Sequence, residues 1–285
     1  MQTGLMRAEL VTEPGGSDRA DEDFTCVSLP ASGQGGCLVL LDGVTPPEGA
    51  TGCAHSVPWY VSRLGGALNE LAVSRPDLTL RQVLASSIRR TAELHRATCD
   101  LSHPRTPQAT VVLARWDDTR AEHLVLSDSV LLLVERDGAV RPVLDDRLDH
   151  LPLAAERAAV RDAADGEREA ARAAYASAVE SLRNAEGGFF TAAADPDVAA
   201  RALTGETPLA ELRCLIALTD GATRWTERFH QGDWTALATL LRTRGPRALL
   251  AEVRRLERTP EGRAKRGKRH DDASVILAEV GGGRG

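Results

Sequence analysis

The chain has 285 residues, 42% of them hydrophobic and 27% charged, with a formal net charge of −6. An acidic balance of this kind argues against nucleic acid as the main partner, because phosphate contacts need a basic face. Five scattered cysteines (Cys26, Cys37, Cys53, Cys99 and Cys214) suit free thiols in a reducing cytosol better than a disulfide framework. The amino terminus has no basic stretch followed by an apolar one, and no apolar run approaches membrane-spanning length, so a cytoplasmic protein with no membrane partner is expected. Aromatic residues make up only 4%, which leaves the core to Leu, Val and Ala, with Trp59, Trp116, Trp225 and Trp234 as exceptions.

In chain order, Met6 to Val11 and Phe24 to Leu29 read as strands joined by a polar loop containing Pro14-Gly15-Gly16. Leu38 to Leu41 is a continuous apolar run, as in a strand buried on both faces, and it ends in Asp42-Gly43. Helices are expected from about Cys53 to Val73 and from about Thr79 to Thr98, the latter with Val83, Leu84, Ile88 and Ala92 at helical spacing. Ala109 to Trp116, Ala121 to Leu126 and Val130 to Glu135 read as three successive strands of a meander, with a hairpin turn at Arg136-Asp137-Gly138-Ala139. Arg141 to Pro152 reads as loop, and Ala154 to Arg183 as a charged helical segment. A short strand at Phe189 to Ala192 and a short helix from Pro196 to Leu203 follow. A strand from Cys214 to Thr219 then runs into Asp220-Gly221, repeating the earlier pattern. Helices at Asp233 to Arg242 and Pro246 to Arg258 precede the basic segment Gly262 to His270, read as a soluble loop in preference to a phosphate-attracting one. Asp271-Asp272 stand directly before a last strand, Ala273 to Val280. No repeat or linker divides residues 1–285, so a single domain is expected.

Acidic groups therefore recur at strand ends: Glu22 and Asp23, Asp42, Asp220, and Asp271-Asp272. Taken singly, an Asp-Gly pair most often caps a turn, the glycine supplying a positive φ. Taken together, these acids could gather at one rim of a sheet, where a like-charge pair roughly 4 Å apart costs on the order of 1–4 kcal/mol unless divalent cations lie between them. All-oxygen ligation favours Mg²⁺ or Mn²⁺. Cys53 and His55 are close enough for a zinc pair, but no second pair with finger-like spacing accompanies them, which favours a partly buried thiol and a polar helix residue.

The ordered set of DED at Asp21 to Asp23, LLDGV at Leu41 to Val44, LSDS at Leu126 to Ser129, LTDG at Leu218 to Gly221 and DDASV at Asp271 to Val275 resembles the metal-dependent type 2C protein phosphatases. Asn184 to Phe189 also resembles the family's Gly-Gly strand entry. The resemblance implies an α+β fold, a four-layer α-β-β-α sandwich of two antiparallel sheets flanked by helices. It implies that Asp42 bridges two Mn²⁺ or Mg²⁺ ions, with Glu22 and the Gly43 carbonyl completing one set of ligands and Asp220 and Asp271 the other. Asp23 would act through water or a neighbouring ligand, and Asp128 with Asp220 would hold a weaker third ion.

Several positions depart from the family pattern. Asp21 is acidic where members usually carry Asn, and Val44 replaces a histidine that can serve as general acid, leaving a water or His55 to do so. Arg224 replaces the carboxylate four residues beyond the last Asp-Gly, which argues against the third ion. Gln108-Ala109-Thr110 replaces a Gly-Ser-Thr segment, and Arg19 is the nearest candidate for a phosphate-gripping arginine, one position out of register. The implied activity is metal-dependent hydrolysis of phosphoserine or phosphothreonine on a protein, through a metal-bridging water. A catalytically silent binding module and a phosphatase of a small metabolite are the alternatives. Oligomeric state is not legible.

Overall fold

The computed structural model describes residues 7–16, 19–30, 35–47, 49–164, 166–264 and 269–280. Ten strands lie among them: β1 (Ala8–Glu13), β2 (Phe24–Ser28), β3 (Gly36–Leu41), β4 (Val111–Trp116), β5 (Arg120–Leu126), β6 (Val130–Glu135), β7 (Val140–Val143), β8 (Leu203–Pro208), β9 (Leu212–Leu218) and β10 (Ala273–Glu279). The helices are α1 (Val57–Ser74), α2 (Leu80–Glu93), α3 (Ala154–Asp162), α4 (Arg168–Ser181), α5 (Asp220–Glu227), α6 (Trp234–Arg244), α7 (Pro246–Glu257) and α8 (Pro260–Ala264). None of them is long and apolar enough to cross a membrane.

The strands form two five-stranded antiparallel sheets, ordered β2-β3-β4-β5-β8 and β1-β10-β9-β6-β7. Alternation along each central strand explains why its residues are apolar throughout. In β3, Leu38 and Leu40 face the other sheet, whereas Cys37, Val39 and Leu41 face α1 and α2. In β9, Leu215 and Ala217 join the core between the sheets, whereas Cys214, Ile216 and Leu218 lie under α5, α6 and α7. Helix, sheet, sheet and helix are thus stacked on three apolar layers, the four-layer α+β sandwich that the sequence motifs imply.

Several local expectations are corrected. β6 does not continue a meander from β4 and β5: the turn at Ser127 to Ser129 carries the chain into the other sheet, where β6 pairs with β7 and β9. The expected hairpin turn at Arg136 to Ala139 does join β6 to β7, but Val140–Val143 is a strand rather than loop. The charged segment 154–183 is two helices, because the chain turns extended at Ala163 (φ −62°, ψ 134°) and Gly166 follows before α4 begins. Phe189 and Ala192 make only isolated bridges, Pro196–Arg201 is a 3-10 helix, and β8 and α5 escaped the sequence reading. Met6 and residues 265–268 of the basic segment lie outside the described residues.

Helix α1 begins at Val57, not Cys53. The Ser56 hydroxyl accepts the Trp59 N–H and Pro58 occupies the first turn, so residues 53–55 stay in the preceding loop. Thr79 and Gln82 close a capping box at the start of α2. Close approach of α1 to its sheet requires Gly65, where a Cβ would stand 2.3 Å from the Phe24 ring, whereas a Cβ on the adjacent Gly66 would meet nothing within 4 Å. This pair gives a matched test by urea denaturation. Gly66→Ala should raise stability by about 0.5–1 kcal/mol, and Gly65→Ala should lower it by about 1–3 kcal/mol through overpacking.

Candidate active site

Strand register brings the acidic segments to one rim. In the first sheet Phe24 pairs with Leu41 and Val111 with Leu126; in the second, Val130 and Val275 both pair with Leu218. The residues just past these pairs are Asp23, Asp42, Asp128 and Asp220, with Asp271-Asp272 leading into β10. Asp42 is held through its backbone, its N–H donating to Thr110 Oγ1 at 3.1 Å and its carbonyl accepting the Thr110 N–H at 2.9 Å. Thr110 Oγ1 in turn lies 2.6 Å from Ser129 Oγ, which ties Asp42 to the turn that carries Asp128.

Neither glycine of the two Asp-Gly tips has a positive φ, so turn capping does not account for them. They are needed for close approach. A Cβ on Gly43 would stand 2.5 Å from the Glu22 carbonyl oxygen and 2.4 Å from Val57, and one on Gly221 would stand 2.0 Å from the Asp272 carbonyl oxygen. Each Asp-Gly tip is thereby pressed against an acidic segment of another strand, and the Gly43 N–H donates to the Glu22 carbonyl at 3.1 Å. Asp220 itself opens α5, with Thr219 as the preceding cap residue.

The acidic residues then divide by what they touch. Asp272 accepts the N–H groups of Gly15 (2.6 Å) and Glu22 (2.8 Å), and so fixes the loop that presents Glu22. Asp21 accepts the Thr12 hydroxyl at 2.6 Å and the Asp23 N–H at 2.9 Å. Asp21, Asp23 and Asp272 place one oxygen each within 4.8 Å of the other two, but Asp21 and Asp272 are engaged in holding the loop. Asp23 is tucked behind the rim, accepting the Thr219 hydroxyl at 3.1 Å with its other oxygen, Oδ1, buried and unpartnered. Glu22 accepts the Thr45 hydroxyl at 2.5 Å.

Crowding shows in the proton affinities. Burial, then Asp23, Asp220, Asp128 and Asp271 in that order, hold the Asp42 carboxyl well above the usual carboxylate range. Asp220 is pushed up to about 7 by burial and by Asp128 and Asp271, against the pull of Arg224 and a hydrogen bond with Asp42. Burial likewise raises Asp23, with Asp21 and Asp272 adding to it against a Ser274 hydrogen bond, and raises Asp128, beside Asp145 and Asp149. Asp42 and Asp220 are close enough to share a proton, and four strand ends converge on them.

Two features modify the expected site. Arg224 is buried, pairing with Glu257 at 2.6 Å and with Asp271 at 3.0 Å, so one of the implied ligands faces a guanidinium. Glu257 also accepts Arg254 (3.1 Å) and His270 (2.6 Å), and the bonds from these three hold its carboxyl below the usual range despite burial. His55 does not reach the rim: its ring stacks on Trp59, centroids 4.0 Å apart, with Nδ1 3.4 Å from Cys99 Sγ. Arg19 is exposed and, with Arg269, lines a cleft of ≈ 320 Å³ whose walls include Glu22, Thr45 and Asp271. A roomier cleft, ≈ 820 Å³, lies between α2 and residues 184–201, where the Asp195 side chain accepts the Asp197 N–H as a cap. Thr110, Ser129 and Asp272 stand in the sequence motifs without the holding roles they take here; Glu257 was not singled out, and Arg269 was hidden in a generic basic run.

No family profile matches the sequence, and no curated protein matches it. Solved structures do. The serine/threonine phosphatase Stp1 of Staphylococcus aureus superposes with a TM-score of 0.59 at 16% identity, over 99% of this chain and 98% of that one. The Mycobacterium tuberculosis serine/threonine phosphatase PstP/Ppp gives 0.58 at 16% identity, over 96% and 98%. PppA of Pseudomonas aeruginosa gives 0.52 at 15% identity, over 97% and 98%. The chain shares the fold of these bacterial proteins, two of them serine/threonine phosphatases, over nearly its whole length.

The raised carboxyls make a signed prediction for the protein in chelator. A group whose folded pKa is raised binds its proton more tightly when folded, so its ionisation destabilises the fold as pH climbs from the ordinary value, 3.8, to the folded one, about 7 for Asp220. Asp220→Asn should therefore be more stable than the parent in urea melts, by a margin that widens across that interval and is level above it. A margin independent of pH would contradict the crowding.

Proposed function

We propose that this protein is a metal-dependent phosphoprotein phosphatase that removes phosphate from phosphoserine or phosphothreonine. The observation that carries this reading is the convergence of Asp42, Asp220, Asp128 and Asp271 from separate strand ends on one partly buried rim, where burial and then their mutual repulsion raise the proton affinity of Asp42 and Asp220. The donor set fits a hard divalent cation: all oxygen, anionic, with the Gly43 backbone alongside. Asp42 would be shared between two Mn²⁺ or Mg²⁺ ions, Glu22 and the Gly43 carbonyl serving one, Asp220 and Asp271 the other. Asp23 would support them from behind, and any weaker third ion would fall to Asp128 with Asp220, without the carboxylate that Arg224 replaces.

When bound, such ions supply a water acidified toward neutrality and neutralise the phosphoryl oxygens. The chain's own part is to hold the carboxylates in position through Thr110, Thr45 and Asp272, and to draw the phosphate dianion into the cleft with Arg19 and Arg269. Val44 offers no proton and His55 is engaged with Trp59 and Cys99, so neither serves the leaving alkoxide as an acid. The fold shared with two bacterial serine/threonine phosphatases supports a phosphorylated protein as substrate.

One observation favours a second reading. The Arg224 guanidinium on Asp271 puts a cation of the chain's own where a metal ligand is expected, which suits a silent module that binds a phosphoprotein without hydrolysing it. Metal titration with a phosphothreonine peptide separates the two. The enzyme should release phosphate only with Mn²⁺ or Mg²⁺, and Asp42→Ala and Asp220→Ala should each lower kcat by about 10²-fold or more; release unchanged in both variants would refute the assignment. Arg19→Ala should raise KM roughly tenfold through loss of a charge-assisted contact, measured by steady-state kinetics on the same peptide.

A further inference from the structure

The loop before α1 meets the turn after α2. Cys53 and His55 come from the loop, His95 and Cys99 from the turn, and one donor atom of each lies within 4.8 Å of the other three. Cys53 Sγ is 3.1 Å from Cys99 Sγ, 3.4 Å from His95 Nδ1 and 3.7 Å from His55 Nδ1, and His55 Nδ1 is 3.4 Å from Cys99 Sγ. The second pair that a zinc site needs therefore exists, spaced by three residues across a helix end, where finger-like spacing in the sequence does not show it. We propose that Cys53, His55, His95 and Cys99 form a tetrahedral Cys₂His₂ site for a structural Zn²⁺, separate from the acidic rim.

The geometry suits that ion. Zn–S bonds of about 2.3 Å and Zn–N bonds of about 2.0–2.1 Å set tetrahedral edges of about 3.3–3.8 Å. The three sulfur–nitrogen distances fall in that range, and the sulfur pair has to spread by about 0.7 Å to reach it. Two thiolates and two neutral imidazoles balance the charge of a divalent ion, which matters because His95 is only 2% exposed. Its ring has no polar partner for Nε2, while Nδ1 faces Cys53 Sγ, so the imidazole is desolvated with a sulfur as its side-chain contact. Backbone N–H groups already point at the sulfurs: Ala54 N lies 3.3 Å from Cys99 Sγ and His55 N 3.4 Å from Cys53 Sγ, the kind of outer hydrogen bond that orients thiolate ligands.

The surrounding chain is built to keep the two segments together. Asp100 N donates to the Gly52 carbonyl at 2.7 Å. Gly52 has φ +70°, and a Cβ there would stand 2.4 Å from His103, so the residue ahead of Cys53 has to be glycine. A mixed sulfur and imidazole tetrahedron selects zinc over the hard cations suited to the acidic rim. The consequence is mechanical: zinc would fasten the stretch that follows Asp42-Gly43 to the end of α2, restraining the loop between the rim and α1.

The test uses the full chain, purified reducing and without added metal or chelator, with metal measured by inductively coupled plasma mass spectrometry. One zinc per chain is expected, retained in Asp42→Ala/Asp220→Ala and lost in Cys53→Ser/Cys99→Ser. Retention in the acidic-rim variant keeps this result independent of the phosphatase reading. Stripped and reloaded with Co²⁺, the unaltered protein should show thiolate-to-metal charge transfer and the intense visible bands of tetrahedral ligation, a readout that does not depend on how well a variant folds. Removing the zinc should lower the melting midpoint by about 5 °C or more. Less than a tenth of an equivalent of zinc after reloading, a Cys53–Cys99 disulfide in the purified protein, or a Co²⁺ spectrum without thiolate bands would overturn the proposal.

Discussion

Like-charge repulsion at one rim is the constraint around which the rest of the molecule is arranged. Asp42, Asp220, Asp128 and Asp23 are each raised in proton affinity by burial and by neighbouring carboxylates, a state that a fold tolerates only where the strands behind it are held firmly. The three apolar layers supply that firmness. Leu38, Leu40, Leu215 and Ile276 lock the sheets face to face, and residues of the same strands, one position along, anchor the helices outside. Because the strand ends are set by this packing, the carboxylates cannot move apart to relieve their repulsion, and the site is organised before any cation arrives.

The rim also shows how second contacts give an acidic residue its role. Asp271 and Asp272 are neighbours in sequence, yet Asp272 uses both oxygens to hold the Gly15 and Glu22 backbone while Asp271 points at Arg224. Asp42 and Asp23 stand across from each other in register, yet Asp42 faces the other carboxylates and Asp23 faces the hydroxyl of Thr219. Arg224 is itself kept in place by Glu257, a buried carboxylate that gathers Arg254 and His270 as well. A cation inside the acidic cluster lowers its net repulsion, which is why this rim can exist with so many carboxylates so close together.

The described residues thus hold two kinds of polar centre: oxygen donors at the strand-end rim, and sulfur and imidazole donors where the loop into α1 meets the turn after α2. Hard and borderline-soft ions sort between such sites by ligand chemistry, so the two need not compete.

Much of this was legible in the residues. The doubly buried strands follow from uninterrupted apolar runs, and the recurrence of Asp at their ends pointed to one rim, because alternation and strand-end position are local properties of sequence; the sandwich of two antiparallel sheets was implied by the resemblance that the ordered motifs carry. The crossing from β5 to β6 between sheets, the break between α3 and α4, the Arg224–Asp271 pair and the meeting of His95 and Cys99 with Cys53 and His55 were decided only in three dimensions. Each depends on residues tens of positions apart being carried together by packing, and no local pattern records which partner a side chain will find once the layers close.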